Sequence, residues 1–327
     1  MSWSILEWIM TDHAVAGPDA SIAPGIPATS PPASADYEVA LESLNQWQLA
    51  WRRYKRHHLA VIGTGVFLFM VLLGIFGPII WPYNELAVRS DLPGPQGFSP
   101  LQMLPMGSDG AGRSVWVLVV NGARLSMLIG ISTMVISVTI GTTIGAIAGY
   151  FGGRTDGFLM RVVDLFLAIP FLFVVLVAAR FFGGGELIPL IIIFGVLLWP
   201  GLARLVRALY LSLREQEFVQ AAQAVGVSNL RIAFRHILPN AIGTIVVTAT
   251  LLVANAIILE AFVSFLNFGL KPQDISWGNA LANSQDTMVD GNWWWPFFPG
   301  MFIALTVIAI NFMGDGLRDA LDPRSKE

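Results

Sequence analysis

The sequence predicts an all-α membrane protein with six transmembrane helices. Three observations carry this. The 327-residue chain is 55% hydrophobic but only 13% charged, about half the charged share of an ordinary globular domain, and its mean hydropathy is +0.65. Six apolar runs approach or exceed the ~20 residues a helix needs to cross ~30 Å of hydrocarbon. Lys and Arg, finally, cluster on one side of those runs. A chain alone in lipid must satisfy its own backbone hydrogen bonds, and runs of this length exclude a β-barrel.

Taken in order, MSWSILEWIM lacks the basic start of a signal peptide, and Glu7 interrupts its short apolar run. It reads as a frayed or interface-resting helical turn. Residues 14–36 are rich in Pro, Ala, Ser and Gly without an apolar period, so residues 1–45 read as a disordered cytoplasmic tail and 46–327 as the transmembrane domain. The spans are expected at about 59–81, 125–150, 162–182, 187–205, 237–260 and 297–314. The third carries Asp164 near one end and Arg180 near the other, where the long arginine stem can snorkel to the interface.

With the N-terminus inside, 14 of the 19 Lys and Arg residues fall on inner segments and 5 on outer ones. The positive-inside rule then makes both termini cytoplasmic. The net charge of −3 gives no electrostatic footprint for nucleic acid, and the absence of Cys excludes disulfides and thiolate metal sites. Trp293, Trp294 and Trp295, just before the last span, are expected as interfacial anchors. Gly141, Gly145 and Gly149 repeat every four residues, a stripe that permits close helix contact. Asp109 is expected to cap a short outer helix starting near Gly110, and Asp164 to pair with Arg161 at the inner interface. Asp315 and Asp319 beside Arg318 read as a solvated helix end. His57 and His58 sit in a basic cluster rather than a metal site, and no Ser–His–Asp arrangement has a histidine on the outer side. Neither the short symmetric pore segment of a channel nor the paired polar groups of an intramembrane enzyme appear within the spans, so no catalytic, metal or cofactor residue is assigned.

One inner segment stands out: EFVQAAQAVGVSNLRIAFRHILPN, residues 217–240. Phe218, Ala221, Ala222 and Val225 recur at helical spacing on one face made mostly of small side chains. Gly226 is a natural helix stop. Ser228 or Asn229 can cap a second helix from Leu230, which carries Arg231 and Arg235. Pro239 is expected to break or kink the backbone as the chain returns to the membrane. An ordinary connection obeying the positive-inside rule is the alternative, but such a connection needs only a few residues. A defined helix with a small-residue face suggests docking to a soluble partner. Glu260, at the end of the fifth run, has two readings: a carboxylate facing a pathway or gate, or one hydrogen-bonded to a neighbouring helix near the outer interface.

The segment resembles the EAA loop of ABC-importer permeases through Gln220, Ala221, Ala222, Gly226 and Leu238-Pro239, with Gln220 in place of the usual Glu. Further segments resemble the C-type permease subunits of dipeptide and oligopeptide importers: MGSDGAGRSVWVLVVNGAR (106–124), MRVVDLFLAIP (160–170), EAFVSFLNFGL (260–270), SWGNAL (276–281) and FPG…GDGLRDALDPR (298–324). This resemblance covers most of residues 50–325. It implies the MetI-like fold and uptake of di- or oligopeptides across a bacterial or archaeal cytoplasmic membrane; nickel chelates or another small solute are the alternative cargo. It implies four kinds of partner: a sister permease, two cytoplasmic ATPases holding ATP and magnesium, an extracytoplasmic binding protein that Arg113 would meet, and the bilayer. It makes helix 217–227 the coupling helix seated in an ATPase groove. Consistent with this division, no G-x-x-x-x-G-K-[ST] loop occurs in the chain.

Overall fold

A computed structural model describes residues 46–83, 99–101, 105–181, 185–285 and 291–321. The expected tail 1–45 and the side chain of Arg180 lie outside the described residues. The described residues are helical apart from turns and one isolated bridge between Ser108 and Ser114. The elements are α1 (Gln46–Arg56), α2 (His58–Ile80), α3 (Val115–Phe151), α4 (Gly153–Ala168), α5 (Phe171–Phe181), α6 (Leu187–Leu213), α7 (Glu217–Ala224), α8 (Asn229–Arg231), a π-helical turn (Ile232–Ile237), α9 (Leu238–Phe265), α10 (Trp277–Ala282) and α11 (Trp294–Leu321).

Among the described residues, five helices are long and apolar enough to cross a membrane: α2, α3, α6, the run Asn229–Phe265 and α11. The remaining expected crossing, the third at 162–182, is not a straight helix. It is divided between α4 and α5, which meet at a bend of 80°. Pro170 is the cause. It has no N–H to donate and forces Ile169 out of the helical region, to φ −83° and ψ 133°. The 11 residues of α5 span only about 16 Å, too little to cross alone.

Helices occupy the other expected stretches; α2 matches its expected length, and the rest run longer. Helix α3 begins ten residues before the expected 125 and α6 continues to Leu213. The extra turns carry Asn121, Arg124 and Arg207, which depress an apolar window without disturbing the helix.

Helix α3 is the central post, packed on α6, α9 and α2. The expected glycine stripe forms its seam with α6. A Cβ at Gly145 would stand 2.5 Å from the Ala203 carbonyl oxygen, and one at Gly149 2.6 Å from that of Arg207. Only residues without side chains allow the two backbones to come this close. Helix α4 is held to α6 by two ion pairs. Asp164 pairs with Arg204 rather than the expected Arg161, and Asp156 takes Arg207 in a two-pronged bond. Sequence proximity suggested Arg161, but α4 lies against α6, so the cross-helix arginine is the one that reaches.

The three tryptophans do not form a belt. Trp293 is exposed, whereas Trp294 and Trp295 are buried in the cluster that joins α2, α3, α9 and α11. The Trp294 indole N–H donates to the Ser108 carbonyl at 3.0 Å, fastening the outer segment down.

Candidate functional site

Helix α7 starts after a three-residue turn from α6, with Gln216 at its N-cap in an extended conformation. Glu217 in the first turn faces the positive end of the helix dipole. The face predicted from spacing divides in two. Phe218, Ala221 and Val225 are exposed, Val225 at 84%, while Ala222 turns inward beside the fully buried Val219. Val219 and Ala222 pack into a cluster made by Tyr150 of α3, Tyr210 of α6, Ile237 at the end of the π-helical turn and Ala241 at the start of α9. The exposed face is therefore narrower than the sequence suggested, and Val219 is the anchor the sequence reading missed. It lies one position from Phe218, and only the rotational setting of the helix shows which of the two faces in.

Gly226 has φ +81° and sits in the left-handed region, the conformation that favours glycine. Its N–H donates to the Gln223 carbonyl at 2.9 Å, and the Val227 N–H to that of Ala222 at 3.1 Å. This is a Schellman stop, and its hydrophobic contact is present, since Ala222 and Val227 pack against the same cluster. Gln220 is exposed, and its side-chain N–H donates to the Glu215 carbonyl at 3.1 Å. A glutamate carboxylate has no proton to give there, so the departure from the usual Glu makes a backbone tie of its own.

Beyond the stop, Ser228 occupies the N-cap position of α8 without making the expected side-chain bond. Asn229 serves differently: its Oδ1 accepts from the Tyr150 hydroxyl at 3.0 Å. The Tyr210 hydroxyl donates to the Ala233 carbonyl at 3.1 Å. Arg214 reaches from the end of α6 to the carbonyls of Gly149 and Tyr150, both at 3.4 Å. Tyr150, Tyr210 and Arg214 thus tie the segment to the C-terminal ends of α3 and α6. With Gln220, Gln223 and Asn229, Tyr150 and Arg214 also line an open cleft beside α7. A hydroxylated aromatic near the end of an apolar run was the only sequence trace of these ties.

Pro239 does not break the chain. The π-helical turn precedes it, with the Leu238 N–H donating to the Ala233 carbonyl, and Pro239 falls in the first turn of α9, where no N–H is missed. A widened turn therefore replaces the expected kink, and one continuous rod runs from Asn229 to Phe265. Arg231 and Arg235 both point to solvent.

Glu260 is fully buried inside its own subunit. Its Oε1 accepts from Ser264 at 2.9 Å and from Ser276 at 2.7 Å, and Ser276 also caps α10 by accepting from the Asn279 N–H at 3.0 Å. Gly278 abuts the carboxylate, where a Cβ would stand 2.8 Å from Oε1. This geometry is a clamp holding α10 against α9. The SWGNAL segment completes it. Trp277 is fully buried and donates through its indole to the Val119 carbonyl at 2.8 Å, while the Asn279 amide binds the carbonyls of Lys271 and Asp274 at 2.7 and 2.9 Å.

In the segment before α3, Asp109 caps no helix. It is fully buried and accepts from the Ala111 and Arg113 N–H groups at 3.0 and 2.8 Å and from the Arg113 guanidinium at 2.5 Å. Burial opposes the charge on Arg113, but Asp109 and the Tyr83 hydroxyl outweigh it and hold the guanidinium above its ordinary pKa. Arg113 is thus engaged within the subunit. Lys271 pairs with Glu186, and this bond raises the pKa of its ammonium. Among the described residues, no group of three or more His, Cys, Asp or Glu side chains is arranged to hold a metal ion.

Residues 141–327 match the model of the binding-protein-dependent transport system inner membrane component, and residues 45–94 that of the N-terminal TM domain of oligopeptide transport permease C. The chain is 38% identical over 286 residues to the dipeptide transport system permease protein DppC of Bacillus subtilis, covering 88% of each chain. It is 38% identical over 293 residues to the oligopeptide transport system permease protein OppC of Haemophilus influenzae, covering 88% of this chain and 92% of that one. To OppC of Bacillus subtilis it is 36% identical, with 89% and 93% covered.

Proposed function

The chain belongs to the family of binding-protein-dependent transport system inner membrane components, and we propose that it works as the membrane permease subunit of an ATP-driven importer of di- and oligopeptides. The similarity to dipeptide and oligopeptide permeases over nearly nine-tenths of the chain supports the cargo class. The family implies a sister permease, two ATPase subunits below the membrane and a binding protein outside it. The excess of basic residues on the segment carrying α7 supports placing that segment and both termini in the cytoplasm.

The observation that carries the coupling role is the two-sidedness of α7. Phe218, Ala221 and Val225 are free to enter a groove on the ATPase. Val219 and Ala222, on the other side, belong to the core that α3, α6 and α9 share. A push on the outer side of α7 is passed to α3 through Asn229–Tyr150, to α6 through Ala233–Tyr210, and to α9 through the unbroken rod. The Schellman stop keeps α7 short and fixes its angle. Arg231 and Arg235 lie on the same inner segment and suit an acidic rim on the partner. ATP binding and hydrolysis belong to the partner subunits, and this chain converts their closure into movement of its spans.

Paired substitutions test this. Ala221→Asp places a charge on the exposed side, so the protein should accumulate in the membrane at the normal level while uptake falls at least tenfold. Ala222→Asp places the charge against the core and should lower the amount of folded protein as well. Normal peptide uptake by the Ala221→Asp importer would remove α7 from the coupling path.

A further inference from the structure

The exposed faces of the spans differ in kind. Along α2 the exposed side chains are Ile62, Phe69, Leu72, Phe76 and Ile79, an apolar surface suited to lipid. Along α9 one stripe carries Thr244, Leu251, Asn255, Ile258 and Phe262 at spacings of three, four and seven. Asn255 lies inside α9, ten residues and about 15 Å before its end at Phe265, and within the expected span 237–260. Other asparagines within the spans satisfy themselves: Asn121, Asn240 and Asn311 each donate to the carbonyl one turn earlier at 2.7–2.9 Å. The threonine at position 248 does the same, bonding the Thr244 carbonyl at 2.9 Å. Asn255 makes no hydrogen bond with any described residue and is exposed. An amide left unpaired against lipid tails is costly, so this side chain faces water or a hydrogen-bonding partner.

We infer that Asn255 contacts the transported peptide and lines this subunit's share of the pathway. The inference rests on the peptide-importer reading. A carboxamide offers two donors and an acceptor, the complement of a peptide group's C=O and N–H, and so binds main chain whatever the side chains are. Leu251, Ile258 and Phe262 on the same stripe are apolar and uncharged. Such a surface holds a peptide backbone at one point without selecting its charge.

The chain has no cysteine, so Asn255→Cys is the single thiol of this subunit, and labelling is read on this chain after it is separated from its partners. In membrane vesicles, a charged, water-borne methanethiosulfonate should modify it, and trialanine supplied with the binding protein and ATP should slow that modification severalfold. Ile75→Cys on α2 should stay unmodified. Asn255→Ala should raise the KM for trialanine uptake about three- to tenfold, the worth of one neutral hydrogen bond, and be partly rescued by Asn255→Gln. Failure of the water-borne reagent where a membrane-permeant one reacts would place Asn255 against lipid or the sister subunit and overturn the inference. So would modification that trialanine does not slow, or an unchanged KM. If the unmodified importer itself took up no trialanine, the cargo reading would fail instead.

Discussion

Removing one hydroxyl, in Tyr210→Phe, isolates the link between the proposed coupling segment and the spans. Tyr210 is fully buried and its ring fills the cluster under α7, so phenylalanine keeps the packing. What is lost is the 3.1 Å bond to the Ala233 carbonyl. That carbonyl still accepts from the Leu238 N–H, so no buried group is orphaned, and the cost should stay near the net value of one hydrogen bond, about 0.5–1.5 kcal/mol. The companion Tyr150→Phe removes the bond to Asn229, which is exposed and can turn to water, so its cost lies at the low end of that range. In a transition balanced between two states, about 1 kcal/mol shifts the populations roughly fivefold. The assembled importer in proteoliposomes is the assay, with ATP hydrolysis and peptide uptake measured together. Each single variant should keep hydrolysing ATP while peptide moved per ATP falls, and the double variant should fall further, to about a fifth or less of the original ratio. An unchanged ratio in the double variant would show that the two hydroxyl ties transmit nothing.

Three other substitutions probe the scaffold. Gly145→Ala should destabilise by about 1–3 kcal/mol through overpacking, because its Cβ would meet the Ala203 backbone oxygen, which cannot rotate away; thermal unfolding of the detergent-solubilised subunit reads this, and Gly157→Ala, with open space around it, should unfold like the original. Glu260→Gln should keep the outer clamp because its amide oxygen can still accept from Ser264 and Ser276, whereas Glu260→Ala leaves both hydroxyls without their acceptor and should expose residues 266–285 to protease from the outer side; equal protease resistance in the two variants would contradict the clamp. Asp109→Ala strips partners from two backbone N–H groups and a half-buried guanidinium and should cost roughly 2–4 kcal/mol, read as a lowered unfolding temperature that adding Arg113→Ala partly restores.

Much of the coupling segment was legible in residue order. A small-residue run, a glycine and a basic stretch specify a helix, a stop and a second helix through local backbone preference, and the structure places Gly226 at positive φ. The glycine stripe of α3 was equally legible, since four-residue spacing fixes a common face whatever the partner. Asp164 shows the limit. Its nearest basic residue on the same helix face is Arg161, yet the pair forms with Arg204, forty positions away. Nothing local records which helix will lie alongside.

By itself, the sequence determined where the chain is apolar enough to cross lipid, which connections hold most of the basic residues, and where a short helix between two spans stops. Those properties are set by transfer free energy and backbone preference residue by residue, so order alone suffices. Only the tertiary structure decided that the third crossing bends at Pro170, that α7 turns Ala222 inward and Ala221 outward, that a π-turn carries the chain past Pro239, and that Glu260 is spent on a clamp. Each of these depends on how a helix is rotated against its neighbours, and that rotation is fixed by packing among residues far apart in the chain.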